Sequence, residues 1–135
     1  MTTIPMFDMP GHDGWLYGIV MGPHLKVGYS QTTRRPRKDY RKLGGIPLFI
    51  VTGSRAEEHA FHIEHAHDRV AIEHALLTRE TYHVTADVCA HVRAWLDDSS
   101  RDLHHLHPEY RTLLSRMVLA DSWAADELND GTGPN

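Results

Sequence analysis

The chain of 135 residues has one cysteine and no apolar run that approaches a membrane-spanning length. A single Cys excludes an intramolecular disulfide framework and any zinc site of the CxxC kind. Cys89 falls in an amphipathic stretch, which predicts a packed, inert thiol. The missing apolar run predicts no transmembrane helix. Met1 to Asp13 has neither a basic n-region nor an apolar h-region, so no secretory signal is expected there. These absences together predict a cytoplasmic setting and no membrane partner. Lysine is also missing over residues 53–135, which carry seven arginines against fifteen acids.

What is present reads as a globular protein. Hydrophobic residues make up 41% and charged residues 24%, enough to build one core in one domain. The formal charge of −4 counts the 12 histidines as neutral. At an unperturbed pKa of about 6.5 they add roughly +3 at pH 7. The distribution of charge says more than its sum. Residues 14–52 hold Lys26, Arg34, Arg35, Arg37, Lys38, Arg41 and Lys42 with only Asp39 opposing them. Such asymmetry predicts a basic patch around residues 26–42 that meets phosphate backbone, or else a solvated helix face.

The order of local signals predicts an α+β fold. Trp15–Val20 and Leu25–Tyr29 are short β-rich runs joined by Gly22-Pro23-His24, a hairpin pattern. Thr32 and Thr33 offer N-caps, Pro36 suits a first helical turn, and the basic helix should stop at Gly44-Gly45. Ile46–Thr52 reads as a third strand. Ser54-Arg55-Ala56-Glu57 is a capping box opening a helix that should run into the low 70s, with a break before Glu73 as the alternative. Tyr82-His83-Val84 suggests a brief extended piece. Thr85 caps a helix whose Val88, Cys89, Val92, Trp95 and Leu96 fall on one face. Residues 97–102 read as a linker, and Pro108 can start a last helix containing Leu113, Met117 and Trp123. The expected architecture is a small central three-stranded sheet flanked by helices, with an additional C-terminal helix. Its divisions are an irregular arm over 1–13, a main domain over 14–100, a helical extension over 101–128 and a flexible tail over 129–135.

Chemistry-bearing residues recur along this frame. Trp15-Leu16-Tyr17 is followed by Lys26-Val27-Gly28-Tyr29-Ser30, then an Arg-rich helix, a strand, and a helix with Glu58-x-x-x-His62. Glu80-Thr81-Tyr82 follows. This arrangement resembles the GIY-YIG nuclease superfamily, in the bacterial and phage subgroup whose second motif reads Lys-Ile-Gly and whose third element is acidic-aromatic. The resemblance covers roughly residues 14–96 and makes 14–100 a GIY-YIG-like domain. It implies a metal-dependent endonuclease that hydrolyses DNA phosphodiester bonds with Mg²⁺ or Mn²⁺. It matches Tyr17 to the tyrosine that orients or deprotonates the attacking water. Lys26 stands in for the second tyrosine, Arg35 for the helix arginine, and Glu58 for the metal-binding glutamate. Arg34, Arg37, Lys38, Arg41 and Ser30 become substrate-binding candidates. His62, Glu64 and Glu73 are secondary site candidates, while Glu57 is already used by the capping box. The residue types suit phosphodiester hydrolysis. One or two carboxylates suffice for Mg²⁺, which keeps several waters, and Arg grips phosphate bidentately.

Other readings stand beside this one. A protein of the same fold that has lost chemistry could act as a phage or bacterial regulator binding DNA or a protein partner. The enzyme would nick DNA as a monomer or cut both strands as a homodimer. His59, His62 and His65, at i, i+3 and i+6, suggest a metal-binding helix face, although without a Cys or an HExxH pattern. His104, His105 and His107 sit in what reads as a linker.

Overall fold

Gly22 and Pro23 reverse the chain in two residues. Gly22 has φ +62°, the positive value that a primed hairpin turn needs at its first central position, and Pro23 is pre-set for the second. The turn joins β1 (Gly14–Met21) to β2 (His24–Ser30) in antiparallel register, with Tyr17 opposite Gly28 and Ile19 opposite Lys26. The computed structural model describes residues 13–70 and 80–131. After β2 come α1 (Arg34–Leu43), β3 (Ile46–Gly53) and α2 (Arg55–Glu64), and then a single 3₁₀ turn at Ala66–Asp68. β4 (Thr81–His83), α3 (Ala86–Asp97), β5 (Leu103–Leu106) and α4 (Tyr110–Gly131) complete the fold. Among the described residues, no helix is long and apolar enough to cross a membrane.

The fold is α+β as expected, but the sheet has five strands, not three, in the order β4-β2-β1-β3-β5 with antiparallel pairing throughout. The two added strands are the outermost, with three and four residues. β4 is the brief extended piece, recruited by pairing His24 with His83 and Lys26 with Thr81. β5 lies where the sequence predicts a linker leading to a helix. His104 and His105 belong to it, and His105 pairs with Ile50.

The caps at Ser54 and Thr85 are where the sequence puts them. Ser54 Oγ accepts from Glu57 N, and the Glu57 side chain accepts from Ser54 N at 3.1 Å. Thr85 Oγ1 accepts from Val88 N at 3.2 Å. The helix opened by Ser54 is shorter than expected. It ends at Glu64, and by Arg69 the chain is extended and bridged to Tyr82. His65, 1% exposed, turns inward at the helix end. This buries an imidazole, and the backbone leaves the helical path there.

Strand alternation splits the apolar residues into two groups. Leu16, Val20, Leu25, Val27, Phe49, Val51 and Tyr82 pack with Phe61 of α2, Val88, Val92 and Trp95 of α3, and Leu114 and Met117 of α4. On the other side Tyr17, Ile19 and Ile50 form a smaller group with Trp15 and Met21, where α1 packs on β1 and β3. Phe61 is the hub of the larger core. It is fully buried, and its ring lies within 5.2 Å of the rings of His65, His91, Trp95 and Tyr82. Cys89 is half-buried and its thiol pKa is raised by burial, in keeping with an inert packing role. Phe61→Ala should therefore cost about 3–5 kcal/mol, read as a lower denaturation midpoint with an unchanged urea m-value.

Candidate functional site

Tyr17 reaches across its β2 partner. A methyl group at Gly28 would lie 2.5 Å from the Tyr17 hydroxyl and Cζ, so only a residue without a side chain lets the ring lie there. The ring ends beside Lys26, whose Nζ donates to Tyr17 Oη at 3.1 Å and lies 4.9 Å from the ring centroid. Both residues are buried, at 2% and 4% exposure. An ammonium out of water needs an anion or several acceptors, and Glu80 Oε2 lies 3.3 Å from Nζ. Glu80 is brought there by the backbone, because Val27 N donates to Glu80 O just before β4 begins.

Glu80 then meets α2. Single donor atoms of Glu58, His62 and Glu80 lie within 4.8 Å of one another. His62 Nε2 is 3.5 Å from Glu58 Oε2, as expected for residues one helical turn apart, while its Nδ1 contacts the hydroxyl of Tyr82. That hydroxyl has a raised pKa, chiefly through burial and against the opposing influence of Arg69, so it stays protonated at neutral pH. His59, His62, Arg69 and Glu80 line an open groove of about 430 Å³. The arrangement offers two carboxylates, an imidazole, a lysine and a tyrosine along one continuous path. Oxygen donors of this kind suit Mg²⁺ or Mn²⁺.

The sequence candidates thus divide. Tyr17, Lys26, Glu58 and His62 come together. Arg34, Arg35, Lys38 and Arg41 are carried by α1, with Arg34, Arg35 and Arg41 exposed. Among the described residues no hydrogen bond or ion pair takes Arg34 or Arg35 to this cluster. Arg37 is engaged elsewhere, its guanidinium 2.9 Å from His104 Nε2, and that imidazole packs edge-on against Trp15. Ser30 is buried and its Oγ accepts from Thr32 N, a turn role. Glu64 faces His65 and His91, in a group separate from Glu58. Glu73 lies outside the described residues. The three helix histidines do not form one face for a metal: His59 and His62 border the groove, while His65 turns toward α3. Glu57 binds the Arg101 guanidinium as well as the helix start.

Glu80 is the residue that sequence reasoning undervalues. In the sequence it is only a loose counterpart of a third motif. Its importance comes from the pairing of β4 with β2, which no local spacing reveals. No family model, curated protein or solved structure matches the chain significantly.

The Lys26–Glu80 contact should be measurable as coupling. Glu80 is about one-third exposed, so solvent screens the pair. A double-mutant cycle of Lys26→Met and Glu80→Gln should give about 1 kcal/mol of interaction energy, with the double variant more stable than the sum of the single losses.

Proposed function

We propose that the protein is a GIY-YIG-type, divalent-metal-dependent endonuclease that hydrolyses DNA phosphodiester bonds. The observation that carries this reading is the convergence, through Glu80, of Tyr17, Lys26, Glu58 and His62, which are scattered over much of the chain. Hydrolysis requires a water oxygen to form a bond to phosphorus, the bond to the leaving oxygen to break, and a proton to reach that oxygen. Glu58 and Glu80 supply the carboxylates that would hold Mg²⁺ or Mn²⁺, which stabilises developing charge on the phosphate when bound. Tyr17 positions the attacking water or accepts its proton. Lys26 fixes the Tyr17 hydroxyl and offsets charge on the phosphate. The cations of α1 hold the DNA backbone, contacting phosphates without reading bases.

A second reading is favoured by the burial of Tyr17 and Lys26. It makes the pair structural and the protein a non-cleaving regulator of DNA or of a protein partner.

Plasmid cleavage separates the two. With Mg²⁺ or Mn²⁺ the wild type should nick supercoiled DNA, and Tyr17→Phe and Glu58→Ala should each lower the rate by about 100-fold or more. A wild type that leaves the plasmid intact, or variants that cut as fast as wild type, would remove the enzyme reading. For the nuclease and for a DNA-binding regulator alike, DNA affinity should fall as salt rises. Arg41→Ala should reduce the salt slope by about 1 if that side chain contacts a phosphate.

A further inference from the structure

A second group of donors lies on the far side of Phe61, where α2 ends against α3. His65 Nε2 is 2.9 Å from His91 Nδ1, Glu64 Oε2 is 3.3 Å from His65 Nε2, and the same oxygen is 3.4 Å from His91 Nδ1. The three atoms make a nearly equilateral triangle. A tetrahedral Zn²⁺ with bonds of about 2.0–2.2 Å keeps its donors about 3.3 Å apart, so one ion fits above this triangle without rearrangement of the backbone. From this geometry we infer that Glu64, His65 and His91 form a three-ligand site for Zn²⁺ or a related transition ion, with the fourth position held by water.

The surroundings are those of a prepared site. His65 is almost wholly buried, and its other ring nitrogen, Nδ1, faces Asp68 Oδ2 at 3.8 Å. Asp68 is itself held by Thr85 Oγ1 at 3.3 Å. At that separation the carboxylate acts on the imidazole by charge, and a small approach on metal binding would let it accept from Nδ1–H and fix the ring's tautomer and orientation. The Phe61 ring centroid stands 4.6 Å from the His65 ring and 4.8 Å from the His91 ring, and Trp95 is 5.1 Å from His91, so both imidazoles are walled in. Without metal, one imidazole must donate to the other across 2.9 Å. Ligation leaves both facing nitrogens without a proton, so the shared hydrogen moves to the other nitrogen of the ring that carries it, His65 Nδ1 beside Asp68 or His91 Nε2.

A groove of about 390 Å³, bordered by His67, Asp87 and Ala90 as well as the three donors, opens over the triangle. It leaves room for a bound water. Two imidazole nitrogens and one carboxylate favour Zn²⁺ over Mg²⁺, which prefers oxygen ligands. The site is independent of the nuclease reading, because it shares no residue with the Glu58, His62 and Glu80 group.

The test is metal titration of the full chain after removal of metal with a chelator. Calorimetry with Zn²⁺ should show one tight equivalent, and Co²⁺ should give the strong visible bands of tetrahedral coordination. Glu64→Ala and His91→Ala, which alter side chains that are not fully buried, should each weaken binding by at least about tenfold, and Asp68→Asn by about 10–100-fold. Glu58→Gln should leave the equivalent in place. Folding of each variant is checked by circular dichroism. No tight equivalent in the wild type would overturn the assignment. So would binding that survives both Glu64→Ala and His91→Ala, or binding lost in Glu58→Gln.

Discussion

A lysine ammonium buried in a small sheet is the constraint on which the candidate site depends. Lys26 is 4% exposed, and its charge has to be met inside the fold. Tyr17 meets it from β1, which works only because Gly28 leaves space for the ring. Glu80 meets it from beyond β2, which works only if the chain returns as β4. The carboxylate that answers the lysine is also the one that approaches Glu58 and His62. Satisfying one buried charge therefore joins the hairpin, an edge strand and a helix into a single polar path.

Phe61 organises the opposite requirement. Its ring fills the space between the aromatic side chains of β4 and those of α3, and it separates two polar groups that α2 carries within a few residues. On one side, Glu58 and His62 join Glu80 in a group rich in oxygen donors. On the other, Glu64 and His65 join His91 in a group rich in nitrogen donors. A ten-residue helix and the residue that ends it thus present two different sets of donor atoms, with the fully buried Phe61 ring between them.

Much of this is legible in the sequence, and the boundary is physical. The hairpin, α1 and the caps at Ser54 and Thr85 rest on interactions within a few residues, and β3 is marked by its own apolar, β-branched run, so their signals are local. The sequence overstates the length of α2, because alanines and histidines continue past Glu64 while His65 turns inward to meet His91. It does not reveal β4 and β5 as sheet members. Three or four residues containing histidine carry little strand signal, and their state is set by partners far away in the chain. The candidate site follows the same division. The family resemblance carried by the motifs is what names Tyr17, Lys26, Glu58 and His62 as candidates. Glu80 gains its weight, and His91 its place, only from tertiary pairing. The arginines of α1 are visible as a charge cluster, but charge alone does not say where a side chain reaches.

The short outer strands have a further consequence. A sheet edge with unpaired backbone groups invites a strand from another molecule, and long, flat apolar edges do so most. Here the Arg69–Val70 segment already pairs along the outside of β4, with Val70 N donating to Thr81 O. β5 offers only four residues, two of them histidines, before Pro108 interrupts the chain. The sheet consequently stops growing at both sides, and a chain with a largely apolar β1–β3 centre is guarded against edge-to-edge aggregation.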